Sequence, residues 1–407
     1  MKKIRKIVCL TLCVALLTAL CAVFAGCSKT PREEILKLYL PEGYIDEDTF
    51  GEFESWYKEQ TGKNVTVQIE TFETVEDIQL AVEGSRADYD ILCPSDYMVE
   101  YLLSKNLLQK IDKARADVSK EGFFKTEYVD MTRTFDPTLE YALPYMYGTL
   151  GLVYDYSKTG KHLDSWEALF GNEYAGKRSV KKSIHEAYAS ACLYNARSET
   201  ASLEGAALKQ KIQEIFEDTS DATIAAAKNA LLSVKNGGAE WDVDNIKYEM
   251  AANTTSVQVG LMYSCDAGYV MNDYEDDEGN EHPGNRNLWY VVPKEGGNVY
   301  IDCFVISAYA ANTEAAQYFL EFVCKKDVAV KNSFYAGAVS PVKEAYDELF
   351  TYYTEDEDGM FEGISEDWKA MYMETMFPSV ATLNRCGIMK DFGARKSALT
   401  TMWKNVK

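Results

Sequence analysis

The chemistry open to this chain is decided first by what is scarce. Its 407 residues include three histidines, His162, His185 and His282, and no HExxH, GxSxG or phosphate-loop motif. Of the ten cysteines, four lie within the first 27 residues and the other six, at 93, 192, 265, 303, 324 and 386, are widely scattered, with no CxxC and no metal-type spacing. Several sit in apolar runs, as Cys93 does after Ile91 and Leu92, and read as small core residues. In excess are carboxylate and aromatic surface: 64 Asp and Glu against 42 Lys and Arg, with 28 Tyr and 6 Trp. Carboxylates form charge-assisted hydrogen bonds to ammonium groups, and aromatic faces cover methylenes while attracting cations at about 0.5–2 kcal/mol per contact. Composition alone fits solubility as well as attraction of cations. An acid such as Asp302, beside the apolar residues of 301–308, is expensive to bury without a partner. A ligand, a strand-end cap or an ion pair could each answer that cost. Paired carboxylates also serve glycosidases, and a cysteine with a histidine serves thiol chemistry. An enzyme is thus the rival class, with no motif behind it.

Two acidic stretches resemble fragments of a calcium loop. The one at 273–279 lacks the glycine at the sixth position, and the one at 356–359 would place Thr354 and Ser365 at the end positions. Both read as solvated turns, and no metal or other cofactor is expected.

The N-terminus carries a different message. Lys2, Lys3, Arg5 and Lys6 precede an apolar run over 7–24, followed by Ala25, Gly26 and Cys27, which predicts a signal peptide over residues 1–26. The tetrad Phe24, Ala25, Gly26, Cys27 resembles the bacterial lipobox, although Leu is usual where Phe24 stands. That resemblance implies that Cys27 is acylated, that 27–33 is a lipid-bearing tether, and that the protein is held on the outer face of the cell membrane. Loss of the leader removes four positive charges and takes the formal net charge from −22 to −26. An acidic surface of this kind repels nucleic acid and anionic lipid and draws in cations. The mature length of about 380 residues supports two cores, since single cores rarely exceed about 250–300 residues.

The elements that must position these groups follow from periodicity. Residues 35–40 read as a strand. A helix follows with Phe50, Phe53, Trp56 and Tyr57 on one face and Gly62 as its stop. Val65, Val67 and Ile69 alternate as in a half-buried strand, Val75, Ile78 and Val82 mark a short helix ended by Gly84, and 89–93 is a buried strand closed by Pro94. This βαβαβ order predicts a largely parallel sheet, whose ligands bind beyond the carboxyl ends of the strands, near 39–44 and 94–97. Residues 145–154 are apolar and glycine-bearing, later strands are expected at 257–263, 289–292 and 301–308, and helices at 184–194, 206–216, 224–234 and 314–323. The class is α/β.

Several segments carry a family resemblance. Residues 89–97 (YDILCPSDY), 108–112 (LQKID), 135–137 (FDP) with 143–148 (LPYMYG), 165–169 (SWEAL), 174–177 (YAGK) and 293–297 (PKEGG) occur in that order. Together they resemble the spermidine/putrescine-binding proteins of polyamine ABC transporters, from about residue 34 to the end. The resemblance implies a two-lobe type II periplasmic-binding-protein fold with an interlobe ligand cleft. Lobe 1 would hold 34–148 and 302–340, and lobe 2 149–301 and 341–407. Crossings would fall near Gly148, Tyr300 and Pro341, with Gly148 absorbing backbone change as a hinge residue.

Position by position, the resemblance implies Ser95, Tyr97, Glu186, Tyr263, Asp266, Tyr300 and Asp302 as ligand-binding residues, together with Tyr44 and the neighbouring acid Glu42. The alternatives are structural: an N-cap for Ser95 or Asp266, an exposed helix acid for Glu186, core aromatics for Tyr263 and Tyr300. The chain departs from the family at Gly43, Ser183 and Ala338, which leaves the length of the ligand open. The implied partners are a polyamine, a membrane permease and its ATPase, bound by a monomer. A sugar or ferric-ion receptor on the same fold is the alternative.

Overall fold

The computed structural model describes residues 30–242, 245–275 and 280–406. The expected signal peptide and the acylated Cys27 lie outside the described residues, as does the acidic segment 276–279.

The first third follows the predicted alternation. Strand β1 (Ile35–Pro41) leads into helix α1 (Asp48–Thr61), which buries Phe53 and Tyr57 and stops at Gly62. There the backbone turns left-handed, with φ 74°, and the Gly62 N–H reaches back to the Lys58 carbonyl. Strand β2 (Thr66–Phe72) and the two-residue β3 (Ile91–Leu92) flank β1, both parallel to it. Because β2 is the edge strand, the alternation of Val67 and Ile69 does not buy burial, and Ile69 is 41% exposed. Only the middle of the predicted 89–93 strand is ladder, since Ile91 and Leu92 alone pair with neighbours on both sides.

Seven further elements complete the frame: helix α2 (Asp96–Ser104), strand β4 (Leu143–Asp155), strand β5 (Arg178–Lys181), helix α3 (Ile184–Asn195), strand β6 (Glu240–Asp242), strand β7 (Val259–Tyr263) and helix α4 (Ser264–Met271). They are followed by β8 (Leu288–Val291), β9 (Gly297–Ser307) and helix α5 (Thr313–Val323). The strand order is β2-β1-β3-β9-β4-β7-β5-β6, with β8 paired to β4. Two long central strands therefore join everything. β9 runs antiparallel to β4 through residues 298–304 and then pairs with β3 through 305–306. β4, buried along its whole length, pairs with β9 early and with β7 and β8 late.

Two cores form around this spine. One gathers Leu38, Phe53, Tyr145, Phe304 and Phe319, closing α1 and α5 over the first strands. The other contains Leu152, Trp166, Leu193, Leu231, Val259 and Trp403. The six cysteines among the described residues are free thiols, buried except for the partly exposed Cys265. At 356–359 the acidic stretch is a turn after the helix Lys343–Glu355, and the Asp356 carboxylate accepts from the Phe361 N–H at 3.0 Å.

Gly148 faces Tyr300 across the β4–β9 ladder. A Cβ there would lie 2.7 Å from Cζ of Tyr300 and 2.8 Å from Oγ of Ser264. Glycine is thus required for close approach. Gly148→Ala should destabilise the protein by about 1–3 kcal/mol, the usual cost of overpacking a filled site. Chemical denaturation checks this, and an unchanged midpoint would show that Tyr300 moves aside freely.

Candidate ligand-binding site

The site forms where β9 passes from one half of the sheet to the other. The β4–β9 register slips between Asp302 and Cys303, so that Asp302 faces Met146 while Cys303 faces Pro144. Pro144 has no N–H to give the ladder, and such positions are where bulges form and re-aim a side chain. Asp302 comes out of the bulge partly exposed, while Ile301 and Cys303 on either side are fully buried.

Three other elements converge on its carboxylate. Ser95 occupies the N-cap position of α2, but its hydroxyl makes no cap bond and donates instead to Oδ1 of Asp302. Tyr44, in the turn after β1, donates to Oδ2 at 2.5 Å. Its own carbonyl accepts from the Tyr145 hydroxyl at 2.8 Å, which fixes that turn to β4. Burial pushes the Asp302 pKa above the usual 3.8, the Ser95 and Tyr44 hydroxyls oppose the rise, and the charge of Glu186 adds to it. Burial, reinforced by Asp302, keeps the Tyr44 hydroxyl protonated far past neutrality, so it remains a donor.

Asp96, between Ser95 and Tyr97 in sequence, holds this geometry from behind. Its carboxylate accepts from the Tyr97 N–H at 2.7 Å and the Ile301 N–H at 3.3 Å, tying α2 to β9. Burial raises its pKa well above the ordinary value.

The second acid comes from α3. Glu186 is 4% exposed, accepts from the Tyr263 hydroxyl through Oε1, and has Oε2 buried with no hydrogen-bond partner. Tyr263 meets Tyr300 edge to face at 4.8 Å, and the Tyr300 hydroxyl donates to Sγ of Cys265 at 3.0 Å. These two rings form the apolar wall between the carboxylates. Tyr97 stacks on His185 at 3.8 Å, and the far face of His185 stacks on Phe392 at 4.0 Å. Nδ1 of His185 lies 2.9 Å from Oε1 of Glu76. The residue next to Glu186 thereby bridges α3 to the first half of the molecule.

Of the residues implied by sequence, Ser95 and Tyr44 are hydrogen-bonded to Asp302; Glu186, Tyr263 and Tyr300 form a second set whose acid is near enough to act on the Asp302 charge, and Tyr97 stacks on His185. Glu42 does not join them; it is exposed in the turn where Gly43 has φ +65°. Asp266 lies on α4 behind Tyr263, engaged by Nζ of Lys247 at 2.8 Å and of Lys181 at 3.4 Å. Burial alone would raise its pKa, but the two ammoniums outweigh it and hold the acid ionised. Among the departures, Ser183 stands at the N-cap of α3 and Ala338 is buried. Sequence reasoning missed Asp96, His185, Glu76, Lys181 and Lys247. Only Asp96 and His185 carried a signal, each being adjacent to a residue already singled out.

A chain whose two central strands link two cores, with a carboxylate at the crossing and a second on a facing helix, is a two-lobe binding protein of the type II periplasmic-binding-protein fold. Residues 55–360 match the bacterial extracellular solute-binding proteins, and the chain belongs to that family. It is 24% identical over 319 residues to spermidine/putrescine-binding periplasmic protein 1 of Haemophilus influenzae, covering 78% of this chain and 77% of that one. To the putrescine/agmatine-binding protein of Pseudomonas aeruginosa it is 23% identical over 288 residues, covering 69% and 72%. The structure of a putative spermidine/putrescine ABC transporter from Listeria monocytogenes superposes with a TM-score of 0.69 at 24% identity, covering 92% of this chain and 98% of the other. Among the described residues, no helix is long and apolar enough to cross a membrane.

A carboxylate with a raised folded-state pKa costs stability when ionised; that cost is present above the raised pKa and absent below the unfolded value. Asp302→Asn should therefore raise the unfolding temperature of the ligand-free protein at pH 7, with the gap to wild type closing near about pH 4, where free aspartate titrates. Thermal unfolding at both pH values checks this. A variant less stable than wild type at pH 7 would show that the Ser95 and Tyr44 bonds outweigh the burial.

Proposed function

We propose that this protein captures a small polyamine, putrescine or spermidine, in its interlobe cleft and presents it to the membrane permease of an ABC importer driven by a cytoplasmic ATPase. The observation that carries this reading is the pair Asp302 and Glu186. One carboxylate is held by hydroxyl donors alone, the other has a buried oxygen without a partner, and an aromatic wall lies between them. An ammonium group supplies what both lack, a positive charge with several N–H donors, while its methylenes lie along Tyr263 and Tyr300. The names of the relatives point the same way. A diamine needs two such acids, and neither a general acid nor a nucleophile is required of them; the protein acts by binding, without catalysis.

In this reading lobe 1 comprises 34–148 and 302–340 and lobe 2 comprises 149–301 and 341–407, closing as a monomer around the ligand with Gly148 near the hinge. The N-terminal tetrad at 24–27 supports export and attachment through a lipid on Cys27, which keeps the binding lobes at the outer membrane face beside the permease. The strongly acidic composition raises the local concentration of cations at the cleft.

Calorimetric titration of residues 28–407 with putrescine, spermidine, agmatine, a hexose and ferric ion tests the assignment. Heat is expected from amines alone, and a protein that binds the hexose or iron and no amine is not a polyamine receptor. Asp302→Asn should weaken amine binding by about 2–5 kcal/mol, the cost of removing one partner of a desolvated charge pair; unchanged affinity removes Asp302 from the site.

A further inference from the structure

Neither Asp302 nor Glu186 offers both of its oxygens. The Ser95 hydroxyl donates to Oδ1 of Asp302 and the Tyr44 hydroxyl to Oδ2, so each oxygen of that carboxylate already accepts a bond. On Glu186 the Tyr263 hydroxyl holds Oε1, and only Oε2 is buried without a hydrogen-bond partner. The Tyr263 donor is firmly placed. It is the last residue of β7, opposite Leu150 of β4, and its ring meets that of Tyr300 edge to face at 4.8 Å. Burial, reinforced by the charge of Glu186, keeps its hydroxyl protonated far past neutrality. The two kinds of organic cation that a carboxylate can bind ask different things of it. A guanidinium presents a planar fork of N–H groups that pairs best with two oxygens side by side, whereas an ammonium is a compact charge whose three donors turn to meet a single acceptor.

We infer that the Tyr263 hydroxyl is a head-group selector: by capping Oε1 of Glu186 it lets the site accept a primary ammonium and disfavours a guanidinium. The inference rests on the amine reading above and narrows it to ligands whose ends are ammonium groups. A fork that engages both oxygens of Glu186 has to displace the Tyr263 hydroxyl, which then loses a hydrogen bond to a charged acceptor in a place shielded from water. An ammonium needs only Oε2 and leaves the tyrosine where it is. Turning the ligand end for end does not help a guanidinium, because at Asp302 the fork meets the Ser95 and Tyr44 hydroxyls instead.

Putrescine and aminoethylguanidine isolate the head group, since they have the same span between terminal nitrogens and differ in carrying an ammonium or a guanidinium at one end. In calorimetric titration at pH 7 wild-type protein should bind putrescine at least about tenfold more tightly, the scale of one hydrogen bond to a charged group. Tyr263→Phe, which removes the hydroxyl and keeps the ring, should move that ratio about tenfold toward aminoethylguanidine, with circular dichroism confirming that the variant folds. A loss of packing alone would weaken both ligands alike and leave the ratio unchanged. A folded Tyr263→Phe with the wild-type ratio therefore overturns the inference. So does wild-type protein that binds the guanidine as tightly as putrescine or more so, and this result decides the matter even if Tyr263→Phe fails to fold. Where putrescine binds in these cases the amine reading stands; binding of neither ligand overturns that reading and this inference together.

Discussion

Asp302 sits at the crossing between the two halves of the sheet, and a carboxylate in that position has to be ionised to work and half-dry to work selectively. Those demands oppose each other. Burial raises its pKa, and the hydroxyls of Ser95 and Tyr44 bring part of it back without supplying a charge. Much of the surrounding structure serves to hold these two donors. Tyr145 fastens the turn that carries Tyr44, Asp96 fastens the helix that carries Ser95, and the bulge opposite Pro144 turns Asp302 outward. A lysine or arginine at this point would have satisfied the acid permanently and left nothing for a ligand. The hydroxyls of Ser95 and Tyr44 donate without bringing a charge, so in the proposed reading the free energy of ion pairing is kept for the bound state.

Asp266, on α4, shows the opposite choice. There the same kind of side chain, also shielded from water, is neutralised by Lys181 and Lys247. The contrast separates two uses of negative charge that composition merges. The overall excess of acid acts at long range on encounter and is screened by salt. Short-range selection depends on which carboxylates are left without a cation of their own, and that is a property of a few contacts.

That distinction also marks what could be read from the sequence. The βαβαβ start, the strand at 301–308 and the helix at 184–194 were legible because hydrophobic periodicity is local, and the family resemblance implied Ser95, Glu186 and Asp302 together, of which Ser95 and Asp302 share a hydrogen bond. The pairing of each acid was not. Lys181 lies 85 positions from Asp266, and nothing in the neighbourhood of either residue signals the other. Glu42 failed for a local reason: the left-handed Gly43 turns the chain so that Tyr44 reaches the site and Glu42 remains in solvent. Gly148 was expected to matter as a flexible point, and the structure gives it a second reason to be glycine, the close approach of Tyr300.

Helix α3 links binding to the contact between the two halves. His185 and Glu186 are consecutive, so one turn of helix presents one side chain to the aromatic wall and the other to Tyr97 and Glu76 of the first half. A helix moves as a rigid body. Any displacement that carries Glu186 away from Asp302 with its half of the molecule therefore also pulls His185 from Tyr97, while Phe392, packed on Tyr188 of the same helix, goes with it. In the proposed reading, ligand contacts at Glu186 and stacking at His185 favour the same arrangement, and a ligand that engages both acids adds its differential affinity to the stacking energy. In that reading the apposed halves are stabilised partly by the His185–Tyr97 stack, so that a change at His185 acts on affinity through the contact between the halves.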